Sequence, residues 1–129
     1  RDYKVTGVQT CALPIWHFHV PHGLSNALVL PHVLRFNLPA ARAAYSEIAA
    51  DAFPELAALP MASRGERFVE ALADLSRELQ VPQRLRDVRI PESALPLLAR
   101  DAMKQTRLLV NNPRAMNEAE ALAIYAAAF

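Results

Sequence analysis

Three of the four histidines lie within seven residues of one another, and they are the first candidates for chemistry: His17, His19 and His22. Neutral imidazole is the commonest nitrogen ligand of transition metals, so a cluster of histidines suggests a metal site. The spacing i, i+2, i+5 is not that of a helical ligand pair, which uses i, i+3 or i+4. The pattern alone therefore leaves two interpretations open, a metal site and a group of polar residues at the mouth of a cleft.

The fourth histidine, His32, is predicted to have a structural role. It lies in an apolar segment directly after Pro31. A proline removes one backbone donor from a helix, and a neighbouring histidine can satisfy the polar groups left free.

Charge and composition exclude several classes of protein. The 129 residues carry 14 basic and 13 acidic side chains, a net charge of +1, with no concentrated basic block. We therefore expect no nucleic-acid partner. No apolar run reaches the ~18–20 residues that span a bilayer, so we expect no membrane partner either. A single cysteine fits a reducing compartment, and we expect a cytoplasmic protein.

The beginning of the chain is interpreted as non-native sequence. The segment Val5–Ile15, VTGVQTCALPI, resembles the translation of a common sequencing adaptor, and residues 1–15 show no helical period. We therefore separate residues 1–16, as an adaptor-derived segment, from residues 17–129, as the native domain. The alternative is a native strand within the same segment. On the first interpretation Cys11 is not a candidate nucleophile.

The remainder of the chain is predicted to be helical. A run that is apolar on nearly all faces follows His22, and Pro31 should kink or restart the helix there. Asn37 breaks this run, and Pro39 begins a second helix that ends near Phe53.

Three further helices are predicted beyond Phe53. The third begins with a capping box formed by Ser63 and Glu66. Its predicted buried stripe is Phe68, Leu72, Leu75 and Leu79. A fourth helix runs from Pro91 to about Thr106, and after a turn over residues 111–114 a last helix is capped by Asn117 and Glu120. We therefore predict an all-α fold, a bundle of about five helices.

The segment HFHVPHGLSNALVLPHVLRFN, residues 17–37, resembles the C-terminal domain of iron-containing, or group III, alcohol dehydrogenases. The block PHGLSNALVLPHV is the specific part of this resemblance. The order of the later segments fits as well, with PQRLRDV near Pro82, a helix, the turn NNPR and a closing helix. The resemblance covers essentially all of residues 17–129.

The resemblance implies a two-domain enzyme, of which this chain is the helical, metal-binding half. In that family an N-terminal α/β domain binds NAD or NADP, and one Asp and three His hold a divalent metal, usually iron and sometimes zinc. The histidine of the PHG motif corresponds to His22. A second ligand, fourteen residues earlier, would fall at Val8, and a further family histidine would fall at Ala12. Only one of the four ligands is therefore present.

The function implied is hydride transfer between an alcohol or aldehyde and a nicotinamide cofactor, with the alcohol oxygen activated by the metal. His17 and His19 are expected to line the substrate pocket. We expect the chain alone to be inactive, because it lacks the Gly-rich turn that binds a dinucleotide and a lone histidine does not retain a metal. No residue of this chain is assigned a catalytic or cofactor-binding role, and homo-oligomerisation is left open.

The alternative hypothesis is a stand-alone helical binding module. On that hypothesis residues 1–16 are native, and the histidine cluster is a weak site for a transition metal or a partner.

Overall fold

The computed structural model describes residues 6–129, apart from the side chains of residues 6, 7 and 9. Within that range the chain forms helices and connections, with no strand. The α-helices are α1 (Thr6–Trp16), α2 (His22–Ala52), α3 (Met61–Glu78), α4 (Leu95–Met103), α5 (Thr106–Leu109) and α6 (Glu118–Ala127). Short 3-10 helices cover Pro54–Ala58, Leu85–Val88 and Glu92–Ala94. The predicted all-α fold is confirmed.

The helix α2 is continuous over 31 residues, so the prediction of two separate helices was wrong. Pro31 and Pro39 both lie inside it. A proline removes one backbone hydrogen bond but keeps a helical φ. Burial compensates for this loss, because α2 packs against α1, α3 and α6 along its length. Asn37, predicted to break the helix, is buried within it.

The helix α3 begins two residues before the predicted capping box. Pro60 precedes its first turn, and the Ser63 hydroxyl donates to the Pro60 carbonyl at 3.0 Å. Glu66 accepts a hydrogen bond from Arg42 of α2 instead of closing a box. The predicted stripe is buried only at its start, since Leu75 and Leu79 are 40% and 66% exposed. The buried line is Gly65, Phe68, Val69 and Ala73.

Gly65 lies where α3 packs closely against α2. A Cβ added there would lie 3.1 Å from the Arg42 carbonyl oxygen and 3.2 Å from Ser46 Oγ. Such contacts are tighter than ordinary packing allows, and the first of them is to backbone. A residue without a side chain is therefore what lets the two helices approach.

The last helix has the predicted cap. Asn117 Oδ1 accepts from the Glu120 backbone N–H at 2.9 Å, and Glu120 Oε2 accepts from the Asn117 backbone N–H at 2.9 Å. The predicted fourth helix ends earlier than expected, at Met103, and is preceded by the 3-10 turn Glu92–Ala94. The short helix α5 was not predicted.

Two apolar clusters hold the described helices together. The larger joins α1, the first half of α2, α4 and α6, and the smaller joins the second half of α2 to α3. Tyr125 lies fully buried in the larger cluster, and its hydroxyl donates to the Cys11 carbonyl of α1 at 2.8 Å. This packing positions the α1–α2 connection, which carries the candidate histidines.

No helix among the described residues is long and apolar enough to cross a membrane.

Candidate functional site

The histidine segment is a tight connection between α1 and α2. The backbone N–H groups of His17 and His19 donate to the carbonyls of Pro14 and Trp16, at 3.2 and 2.9 Å. His19 adopts a left-handed φ of 60°, which reverses the chain direction. Val20, directly after it, is 4% exposed and anchors the segment in the larger cluster. The turn therefore has a fixed path although its polar side chains face solvent.

Pro21 sets the start of α2. Its φ of −54° and ψ of 141° are extended, so the helix begins at the next residue, His22. The Pro21 carbonyl accepts from the Ser25 backbone N–H at 2.9 Å and from Ser25 Oγ at 3.1 Å. This double contact holds the first turn of α2 and fixes the position from which the His22 side chain leaves the helix.

His22 is exposed and contacts one polar side chain. Its Nε2 lies 3.2 Å from Nδ2 of Asn26, one turn along α2. An amide nitrogen is a donor, so Nε2 accepts with the lone pair that a metal would use. Asn26 Oδ1 is buried without a hydrogen-bond partner in the described structure. The His22 ring is therefore held against a neighbouring side chain of its own helix.

His17 and His19 are also exposed, and the structure does not gather the three histidines into a metal site. The ring of His17 lies beside Trp16, with centroids 6.1 Å apart. Across the part of the chain that is described, no group of three or more His, Cys, Asp or Glu side chains could hold a metal ion. A metal ion bound by four side chains therefore does not fit the residues described.

The two positions where the family resemblance places histidines lie on α1. Val8 and Ala12 are one turn apart, so they share a helix face, and they are 4% and 0% exposed. Both pack in the larger apolar cluster with Cys11 and Ile15. The helix thus presents methyl groups at these positions, and it offers no imidazole or carboxylate toward His22.

Asn26 is predicted as a hydrogen-bonding residue on the helix surface, but neither α1 nor the contact of Asn26 with His22 was predicted. Val8, Cys11, Ala12 and Ile15 do recur at i, i+3, i+4 and i+7, which is a helical period. Asn26 follows His22 at i+4, the spacing that places two side chains on one helix face. Both signals were present in the sequence.

Cys11 is not a nucleophile in this fold. Its side chain is fully buried, and burial raises the pKa of the thiol to about 12, against a smaller lowering from a hydrogen bond with Tyr125. The reactive species is the thiolate, which is absent at such a pKa near neutral pH.

Comparison with known proteins identifies the family. The sequence model of the Fe-containing alcohol dehydrogenase family, C-terminal, matches residues 13–129. The 1,3-propanediol dehydrogenase of Klebsiella pneumoniae is 36% identical over 112 residues, which cover 87% of this chain and 29% of that protein. Long-chain-alcohol dehydrogenase 1 of Geobacillus thermodenitrificans is 38% identical over 130 residues, covering 97% of this chain and 32% of the relative.

Solved structures agree with the sequence comparisons. A crystal structure of 1,3-propanediol oxidoreductase superposes with a TM-score of 0.87 at 34% identity, over 95% of this chain and 32% of that one. An alcohol dehydrogenase from Oenococcus oeni, at 24% identity, shares the fold with a TM-score of 0.85. The chain spans about a third of the length of the relatives it matches. It belongs to the Fe-containing alcohol dehydrogenase family, within the C-terminal part of that family's sequence.

Proposed function

We propose that the full-length protein is a metal-dependent, NAD(P)-linked alcohol dehydrogenase that interconverts an alcohol and its aldehyde. Family membership supports the reaction class. The names of the relatives support small substrates, since they include 1,3-propanediol dehydrogenase, lactaldehyde reductase and an NADPH-dependent butanol dehydrogenase. We also place the protein in the cytoplasm, with no nucleic-acid or membrane partner, and as a candidate homo-oligomer.

Within this proposal His22 is one ligand of a divalent metal, with iron as the first candidate and zinc as the second. The observation that carries the assignment is the geometry of its imidazole. The ring projects from the first residue of α2, and Nε2 faces the Asn26 amide rather than a carbonyl or an ion pair. A metal would replace the amide proton at this lone pair, and Asn26 would have to turn away.

The residues described do not complete the metal site. The proposed contribution of this chain is to hold one imidazole nitrogen at a fixed helix start. His17 and His19, both exposed on the connection before α2, are proposed to line the substrate pocket. The chain alone is proposed to be inactive.

We further propose that residues 1–16 are adaptor-derived and that the native domain begins at His17. The competing candidate is a stand-alone helical module in which this segment is native. One observation favours that candidate, the packing of α1 into the core through Cys11 and its contact with Tyr125. Independent genomic reads across the codon of His17 decide between the two. Reads continuing into a His-containing helix and a Gly-rich domain support the fragment, and reads reproducing VTGVQTCALPI in frame with its own start codon refute it.

The catalytic proposal is tested on the gene product recovered with its native upstream sequence. Oxidation of 1,3-propanediol and of butanol is followed by NADH and NADPH absorbance. His22→Ala is expected to lower kcat/KM by at least about a hundredfold, because loss of a ligand disrupts the metal site. Asn111→Ala, an exposed change in the turn after α5, is the matched control and should leave the rate unchanged. Equal rates for His22→Ala and wild type would refute the role of His22.

A further inference from the structure

A cavity between α2 and α6 has the features of a second binding site. Its volume is about 410 Å³, within the range of ~300–1,000 Å³ typical of small-molecule pockets. One wall is the α2 face formed by His32, Arg35 and Phe36, at i, i+3 and i+4. The other wall is the α6 face Glu120, Ala123, Ile124 and Ala127, closed at one end by Arg114. None of these residues belongs to the histidine segment.

The floor of this cavity is apolar. Ile124 is 4% exposed, and Phe36 packs against the larger cluster. Ala123 and Ala127 are exposed at the rim, and their small side chains leave the space between the helices open. An apolar group entering the cavity would therefore be removed from water without displacing a side chain.

Two of the charged groups at the cavity neutralise each other. Arg114 donates to Glu120 Oε1 at 3.3 Å and to the Phe36 carbonyl at 2.9 Å, and its guanidinium lies 4.1 Å from the centre of the Phe36 ring. The second oxygen of Glu120 accepts from the backbone at the cap of α6. Because Glu120 offsets its charge, Arg114 is a weaker site for an added anion than an unpaired arginine.

Arg35 is the free cation at the cavity. Among the described residues it makes no ion pair, and the neighbouring acids Glu70 and Asp74 are already paired with Arg67 and Arg77. Burial, with a further contribution from the Arg35 charge, lowers the pKa of His32, so its imidazole is neutral and can donate one hydrogen bond. An unpaired guanidinium and a neutral donor thus lie beside an apolar floor.

We propose that this cavity binds a small carboxylate with an apolar tail. The carboxylate pairs with Arg35 and accepts from His32, and the tail lies on Phe36 and Ile124. Charge complementarity selects the anion, because an uncharged ligand of the same shape leaves the guanidinium unpaired. The proposal uses residues outside the candidate metal segment, so it stands or fails independently of the proposed dehydrogenase function.

The test uses hexanoate as the probe and its neutral analogue hexanamide as the matched ligand, with the 129-residue chain observed by ¹H–¹⁵N NMR. Hexanoate is expected to give saturable shifts confined to α2 around Arg35 and to α6. Hexanamide is expected to bind about tenfold more weakly, the loss expected for one charge-assisted hydrogen bond.

Two variants keep the proposal falsifiable. Arg35→Gln is expected to weaken hexanoate about tenfold, and Ala123→Leu, an exposed change that fills the cavity, is expected to abolish binding. Arg107→Gln removes an exposed cation that does not line the cavity and makes no ion pair with the acids beside Arg35, so it should leave the affinity unchanged. Three outcomes would each overturn the assignment. They are equal affinity for hexanoate and hexanamide, equal affinity of Arg35→Gln and wild type for hexanoate, and shifts spread over unrelated arginines.

Discussion

The pair Asn37 and Asn112 provides the most quantitative test of the fold, because it joins α2 to a turn 75 residues away. The two amides exchange hydrogen bonds of 2.9 and 2.8 Å, and Asn112 Nδ2 also donates to the Arg114 carbonyl at 2.6 Å. Asn37 is only 4% exposed. Water therefore has little access to the Asn37 amide, and Asn112→Ala removes both hydrogen bonds between the two side chains, which leaves the Asn37 carbonyl oxygen without its partner.

An unsatisfied buried polar group costs ~1–3 kcal/mol. We therefore expect Asn112→Ala to lower the free energy of unfolding by about 2 kcal/mol, and Asn37→Ala to cost a similar amount. The double variant Asn37→Ala/Asn112→Ala should cost ~1–2 kcal/mol less than the sum of the two single variants. Each single variant already removes the hydrogen bonds between the two side chains, so the sum counts their loss twice. For a chain of this size, 2 kcal/mol corresponds to a decrease in Tm of roughly 6–10 °C.

The assay is urea unfolding followed by circular dichroism at 222 nm for the wild type, the two single variants and the double variant. Asn111→Ala is the control, because Asn111 is exposed and bonds only the Arg107 carbonyl within its own turn. It should change the free energy of unfolding by less than ~0.5 kcal/mol. A cost below that value for Asn112→Ala, or strictly additive costs, would refute the reasoning.

Three further outcomes are expected. Gly65→Val should cost ~1–3 kcal/mol by forcing α3 away from α2, whereas Glu78→Val at the exposed end of α3 should cost less than ~1 kcal/mol; equal urea midpoints would contradict this. Burial raises the pKa of Cys11 in the folded chain, so its contribution to stability is fully present below the unfolded pKa and is lost as pH rises from about 9 toward about 12. At pH 8 a thiol reagent should label Cys11 only after unfolding, and rapid labelling of the folded chain would contradict the burial. The exposed Leu75 and Leu79 should promote association of the isolated chain, so light scattering should show a mass that rises with concentration, and Leu79→Glu should reduce it.

The sequence predicted a helix end correctly where the two capping residues are close in sequence and bond each other. The cap of α6 joins Asn117 to Glu120, three residues apart, and its geometry follows from the residue types alone. Ser63 and Glu66 have the same spacing, yet Pro60 begins α3 earlier and Arg42 engages Glu66 from another helix. The outcome there depends on a contact that no local pattern contains.

Long-range packing explains the other differences. Pro31 and Pro39 predict interruptions, and α2 continues through both because its buried face is stabilised by three neighbouring helices. Leu75 and Leu79 continue the stripe of α3 beyond the region that α2 covers, so periodicity could not show that they are exposed. The Asn37–Asn112 pair could likewise not be predicted from a local sequence pattern, because the two residues are 75 positions apart.

For the candidate site, the family resemblance predicts His22 as a metal ligand, and it places an absent ligand at Val8 and an absent further histidine at Ala12. The structure added the neighbour Asn26 and the burial of Val8 and Ala12. It did not bring His17 or His19 into a cluster with His22 that could hold a metal within the described chain.

The central claim is that His22 is one ligand of a metal site that this chain does not complete. The most direct measurement is the content of iron and zinc per chain after loading and desalting, made on this 129-residue chain and on the gene product with its native upstream sequence. We predict less than about 0.1 metal per chain for the first and about one for the second, falling to less than about 0.1 in its His22→Ala variant. Stoichiometric metal on the 129-residue chain, or full metal content in the His22→Ala variant, would contradict the account.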